Sequence, residues 1–138
     1  MRPDQTGGFI LDSGSPHSVL VQTAYKVVKE KIIEYFERYY SCHPLPPQPG
    51  DLDLCYDMPH QNFTAPSMTY HFEGANLFLP QRNVSQFFDA SFCLMVMPIN
   101  DRGPNILGAF QQMNHRFFFD FTALTAAFVP ERCRFNRE

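Results

Sequence analysis

One acidic side chain in this sequence sits where chemistry could happen. Asp12 follows the apolar run Phe9-Ile10-Leu11 and precedes Ser13-Gly14-Ser15. The run reads as a buried strand. A carboxylate carried to the end of such a strand must be hydrogen-bonded or paired, because burying a bare charge is costly. Gly14 permits a tight turn and close backbone approach. Ser13 and Ser15 can each donate a hydrogen bond. A carboxylate held this way is a candidate for proton-transfer chemistry. A second stretch, Asn105-Ile106-Leu107-Gly108, lies nearly a hundred residues on and strengthens that reading.

Plainer readings compete. Asp-Ser-Gly is ordinary turn composition. Asp12 to Ser18 also has the look of a phosphorylation-dependent degradation motif, but such motifs act in exposed segments. This one is flanked by Phe9-Ile10-Leu11 and Val19-Leu20-Val21.

The elements that must position Asp12 follow from the rest of the chain. Its 138 residues fit one domain with a real core, and 44% apolar composition makes overall disorder untenable. No linker or repeat divides it, so a single domain over residues 1–138 is expected. The net charge is −3 and no basic block occurs, which argues against nucleic acid as a partner. No apolar run approaches a bilayer span, so no membrane partner is expected. Residues 1–8 lack a signal peptide's apolar centre, so a secretion signal would lie outside these residues. The four cysteines (Cys42, Cys55, Cys93, Cys133) form no CxxC and the histidines are scattered, so no metal site is expected. The even count allows two disulfides or four buried thiols; spacing alone leaves both open.

Gln22 to Tyr40 predicts an amphipathic helix. Its apolar positions are Ala24, Val27, Val28, Ile32, Tyr35, Phe36 and Tyr39, and Lys26–Glu30 and Glu34–Arg38 are spaced to pair. The mixed-sign polar face disfavours a membrane-surface role. Ser41 to Gly50 holds Pro44, Pro46, Pro47 and Pro49 and reads as an exposed connector; its PxxP match is treated as loop. Beyond Asp51 the period changes to two. Leu52, Leu54 and Tyr56 predict one strand, and Met68 to Phe72 turning at Glu73–Asn76 into Leu77 to Leu79 predicts a hairpin. Phe92 to Met97 reads as one continuous strand and Ala109 to Asn114 as a short helical turn. Arg116 to Asp120 reads as a strand, and Thr125 to Val129 as the strand that closes the sheet. The expected class is mostly β with one long helix. Asn62-Phe63-Thr64 and Asn83-Val84-Ser85 are glycosylation sequons, and His71 and His115 read as structural.

An apolar pair followed by Asp-Ser/Thr-Gly-Ser/Thr, then a distant apolar pair with Gly, is the repeating unit of the aspartic proteases. The chain resembles the C-terminal lobe of a pepsin-type aspartic protease of the plant nepenthesin-like group, which includes the xylanase-inhibitor relatives. Supporting residues run from Phe9–Ser15 through Asp53–Tyr56, Pro66–Phe72, Phe92–Leu94 and Asn105–Gln112 to Asp120 and Phe128–Cys133.

The resemblance implies a single lobe of the pepsin-like fold and a role at each matching position. Asp12 would be this lobe's catalytic carboxylate. Ser13 would reach the other lobe, and Ser15 would bond the outer oxygen of Asp12. Ile106, Leu107 and Gly108 would pack beside the loop, with Gly108 leaving room for the chain crossing. Cys55 and Cys93 would form the lobe's disulfide. Cys133 matches a cysteine that bonds the other lobe in relatives, and Cys42 would be free or pair with Cys133. No cofactor is implied. The reaction would be hydrolysis of a peptide or protein substrate by water held between two carboxylates, one ionised and one protonated. The sequence holds one Asp-Ser-Gly and no second Asp-Ser/Thr-Gly, so the partner Asp would come from an N-terminal lobe. A non-catalytic inhibitor-type binder is the alternative. A homodimer of the retroviral-protease kind is disfavoured because the chain after Asp12 enters a helix rather than a flap hairpin. A secreted or vacuolar location is implied by resemblance alone.

Overall fold

The computed structural model describes residues 8–47, 52–58 and 62–132. In chain order the elements are β1 (Phe9–Asp12), β2 (Ser18–Val21), α1 (Gln22–Tyr40), β3 (Cys55–Asp57), β4 (Met68–Phe72) and β5 (Ala75–Leu79). Then come α2 (Gln81–Val84), β6 (Ser85–Phe87), β7 (Ser91–Leu94), β8 (Val96–Ile99), β9 (Asn105–Gly108), α3 (Ala109–Gln112), β10 (His115–Asp120) and β11 (Thr125–Pro130). The fold is mostly β with one long helix, as expected. The central sheet has the order β1-β9-β2-β8, β3-β7-β6 form a second sheet, and β4–β5 and β10–β11 are two-stranded hairpins. The turn between β4 and β5 is tight because Gly74 takes φ 77°.

Aromatic side chains fill the space between α1 and the β3-β7-β6 sheet. Tyr56 stacks on Phe92 at 5.3 Å, and Phe36 of α1 lies 4.7 Å from Tyr56 and 5.1 Å from Phe92. Such offset and tilted pairs add to what area burial alone contributes. Cys55 and Cys93 are cross-strand partners of β3 and β7 and are joined by a disulfide, the pairing the resemblance implied. The bond spans 38 residues, so chain-entropy arguments give it about 4 kcal/mol against the reduced chain. Cys55→Ser is expected to lower urea-unfolding stability by up to that amount, and reductant should no longer affect the variant. Cys42 carries a free thiol, and Cys133 lies outside the described residues.

The helix occupies the residues its periodicity predicts, but its buried face is rotated. Tyr25 and Phe36 are buried, whereas Val27 and Tyr39 are 57% and 62% exposed. On the inward side one Asp53 oxygen accepts from Tyr25 Oη at 2.5 Å and from Lys29 Nζ at 2.6 Å. On the outer face Lys26 pairs with Glu30 at 3.9 Å, while Glu34 takes Lys31 at 2.7 Å instead of the expected Arg38. Exposed pairs of this kind contribute little. The helix lacks a side-chain cap of its own. Asp101, 78 residues away, accepts from both the N–H and the hydroxyl of Thr23 at 2.8 Å and so places a carboxylate at the helix N-terminus. At the other end Ser41 adopts a left-handed conformation, with its N–H bonded to Glu37 and that of Cys42 to Phe36.

Burial pushes the Asp53 carboxyl up, but Lys29 and Tyr25 outweigh it and leave the group below its ordinary 3.8. A depressed carboxylate contributes stability above its unfolded value and loses it as pH falls through the folded one. Asp53→Asn is expected to cost about 1 kcal/mol at pH 7, with partial exposure discounted. Thermal melts should show that difference shrinking below pH 3.8.

Further sequence expectations change. The strand read over Leu52, Leu54 and Tyr56 is confined to β3, Cys55–Asp57. Phe92–Met97 is two strands, β7 and β8, in different sheets. The chain switches sheets at Met95, whose N–H bonds Val84 O at 2.9 Å and whose carbonyl accepts from Ser18 at 3.1 Å. Phe92 through Val96 are all buried, so the switch leaves no mark in hydrophobicity. Among the described residues Thr125–Val129 does not close the sheet: β11 pairs with β10 alone. Phe117 and Phe128 pack inward toward Phe72, while Phe118, Phe119, Phe121 and Leu124 are exposed. The connector is only partly exposed, since Pro44 and Leu45 are half-buried and the Leu45 N–H bonds Cys55 O at 2.8 Å. Residues 48–51 lie outside the described part.

The two sequons also part company. Asn62 is exposed. Asn83 is fully buried, donating to Met113 O at 2.7 Å. A glycan there has no room. Expression through a eukaryotic secretory route should yield folded protein with glycan at Asn62 and none at Asn83, as read by peptide mass spectrometry. Among the described residues no helix is long and apolar enough to cross a membrane.

Candidate functional site

Strand β1 runs parallel to β9 in the register Phe9–Asn105, Ile10–Ile106, Leu11–Leu107 and Asp12–Gly108. The two separated motifs of the sequence are therefore direct neighbours. Leu107 is fully buried beneath the pair. Asn105 locks the far end. Its amide oxygen accepts from Val21 N–H at 3.0 Å and its amide nitrogen donates to Gly8 O at 3.1 Å, joining β1, β2 and β9.

At the other end the chain turns at Asp12 and presents its half-buried carboxylate. The N–H of Gly14 donates to Oδ1 at 2.8 Å, and the hydroxyl of Ser15 donates to Oδ2 at 2.8 Å. Both carboxylate oxygens are thus held by short-range donors, which fixes the plane of the group. The Ser15 hydroxyl, then the Gly14 N–H, hold the Asp12 carboxyl below its ordinary value of 3.8. At neutral pH it is a carboxylate: an acceptor of protons and hydrogen bonds with no cationic partner needed to keep it charged. Ser13 is exposed next to it.

Gly108 faces Asp12 because no other residue fits. A Cβ added there would lie 2.3 Å from His17 O, 2.4 Å from His17 C and 2.9 Å from Ser15 O. The Asp12 loop crosses directly over this glycine. Beyond it, Ala109 N–H bonds Ser15 O at 2.7 Å and Phe110 N–H bonds Pro16 O at 3.1 Å.

Asp12, Ser13, Gly14 and Ser15 thus form one loop, seated on the segment that ends in Ile106, Leu107 and Gly108. His71 and His115 lie elsewhere and bond Asn76 Oδ1 at 2.8 Å and Met113 O at 3.1 Å. Among the described residues no three His, Cys, Asp or Glu side chains converge to hold a metal ion. Sequence reasoning named Asn105 in the second stretch and Ser18 at the end of the Asp12 motif but gave neither a role. Asn105 was visible as the polar residue beginning an apolar strand, but nothing local marks Ser18.

Residues 1–130 match the model of the xylanase inhibitor C-terminal family. Aspartic proteinase nepenthesin-1 of Nepenthes gracilis is 29% identical over 133 residues, covering 93% of this chain and 29% of the relative. Aspartic proteinase nepenthesin-2 of the same plant is 27% identical over 136 residues, covering 96% of this chain and 30% of the relative. The chain therefore spans under a third of the length of these curated relatives. Among solved structures, edgp superposes with a TM-score of 0.72 at 18% identity, covering 91% of this chain and 32% of that one. With the paired Asp12 and Gly108 strands in place, the chain belongs to the xylanase inhibitor C-terminal family, as a C-terminal lobe of the nepenthesin-like, pepsin-type fold.

Proposed function

We propose that the chain is one lobe of an aspartic-type endopeptidase, with Asp12 supplying one of the two carboxylates that hold and activate a water. The observation that carries this reading is the Asp12 seat. Its two oxygens are each held by one donor, at 2.8 Å, in a loop crossing a glycine that admits no Cβ. That is a large structural investment for a half-exposed side chain that supports no core.

The second Asp would come from an N-terminal lobe, the expected partner. Two carboxylates around one water cannot both ionise, so one keeps the proton. The ionised one draws a proton from the water as it attacks the peptide carbonyl, and the protonated one supports the carbonyl oxygen. Ser13, exposed beside Asp12, would bond across to that lobe. The same lobe would cover the outer face of the β10–β11 hairpin, where Phe118, Phe119, Phe121 and Leu124 are exposed. A secreted or vacuolar location fits this reading through the resemblance and through the Cys55–Cys93 disulfide. The test is peptide cleavage at acid pH by the chain supplied with the N-terminal lobe of a relative. Cleavage that survives loss of Asp12 would refute it.

A second reading has one observation in its favour: the matching family is described by xylanase inhibitors. In that case the chain would be a non-catalytic binder of glycoside hydrolases. Titration calorimetry against a xylanase separates the two, because a binder should not lose affinity when Asp12 is replaced.

A further inference from the structure

Beneath the Asp12 loop lies a buried polar chain that the reading above does not use. Ser18 is fully buried. Its hydroxyl accepts the N–H of Gly108 at 2.9 Å, across 90 residues of sequence. Its own N–H is tied to Met95 O at 3.1 Å, so its backbone cannot drift. Burial pushes the Tyr70 phenol up while the Ser18 hydroxyl and Gln111 act the other way, and Tyr70 Oη donates to Gln111 Oε1 at 2.8 Å. Gln111 is fully buried.

The Ser18 bond completes a series. Three successive N–H groups, of Gly108, Ala109 and Phe110, all bond the loop that follows Asp12: the Ser18 hydroxyl, Ser15 O and Pro16 O. Two of these acceptors are carbonyls that any sequence provides. The third is a side chain, and only a hydroxyl there closes the set.

We infer that Ser18 is a positioning residue for Asp12, its buried hydroxyl pinning the Gly108–Phe110 segment under the loop that carries the carboxylate. The inference rests on reading Asp12 as the reacting group. Without the hydroxyl, the Gly108 N–H is buried and unpaired, which is more costly than losing an ordinary hydrogen bond. Ser15 O lies against Gly108, so the disturbance reaches the residue whose hydroxyl holds the carboxylate. Gly108 sits in register opposite Asp12, so the disturbance has one strand pairing to cross.

Carboxyl-carbon NMR titration of Asp12 in the full 138-residue chain tests this without any catalysis. Ser18→Ala should move the Asp12 midpoint up toward the ordinary carboxylate value. Ser18→Thr, which keeps the hydroxyl, should leave it low. Ser85→Ala, a buried serine in β6 away from the loop, should leave it in place. The inference fails if Ser18→Ala leaves the Asp12 titration unchanged, or if Ser85→Ala shifts it equally. Should Ser18→Ala not fold, Ser18→Cys decides, since its thiol accepts the Gly108 N–H only weakly, and an unmoved Asp12 overturns the inference. A cleavage assay with the second lobe tests the catalytic reading separately: the titration can succeed where that assay fails, and the reverse.

Discussion

Asp12→Asn, in the chain paired with an N-terminal lobe, should abolish peptide cleavage while leaving the lobe folded. The expected loss is about 10³-fold or more, because the substitution removes a general base and the site for the shared proton together. Asparagine keeps the shape, and its oxygen can still accept from Gly14 N–H or the Ser15 hydroxyl, which bond the two Asp12 oxygens at 2.8 Å. Melting temperatures of variant and wild type should therefore agree closely, so lost activity cannot be blamed on unfolding.

The pH profile gives the same experiment a second readout. In the chain alone Asp12 titrates below 3.8, held down by the Ser15 hydroxyl and the Gly14 N–H. A second carboxylate brought alongside opposes ionisation of both, so the pair titrates in two steps and the upper one is raised. Cleavage should appear as pH rises through the lower step and vanish as it rises through the upper one, since only the singly protonated pair is competent. The chain alone should show one low step. If adding the second lobe leaves the Asp12 titration unchanged, the dyad does not form.

Gly108→Ala should be the most disruptive of the alanine substitutions at Gly14, Gly74, Gly103 and Gly108. The new Cβ would lie 2.3 Å and 2.4 Å from the carbonyl oxygen and carbon of His17. Both are backbone atoms, so no side-chain rotation relieves the clash. Either β1 separates from β9, breaking the Asp12–Gly108 register, or the loop lifts and the Ala109 and Phe110 hydrogen bonds to it are lost. We expect a stability loss of about 3 kcal/mol or more in urea unfolding. Gly74→Ala is the control. A Cβ there meets nothing within 4 Å, and only the φ of 77° resists it, for a cost of about 1 kcal/mol. Equal stabilities for the two variants would show that the crossing over Gly108 is looser than described.

The Asp12 loop and its partner strand were legible because their signal is compositional and local. A carboxylate after an apolar run, a glycine after the carboxylate, and a second apolar pair ending in glycine each constrain their own backbone, and their pairing followed from family resemblance. The β4–β5 hairpin and the span of α1 were legible for the same reason: periods of two and 3.6 are written into neighbouring residues. The contacts that seat these elements have no such signature. Asp53 bonds Tyr25 and Lys29 of α1, Asp101 caps the helix from 78 residues away, and Ser18 reaches Gly108 across 90. Met95 splits one apolar run between two sheets, and Asn83 is buried although its sequon reads as surface. A hydrogen bond between distant residues leaves each of them looking locally like an ordinary polar side chain. Its partner is chosen by how the sheets and helix pack, and that choice exists only once the chain has folded.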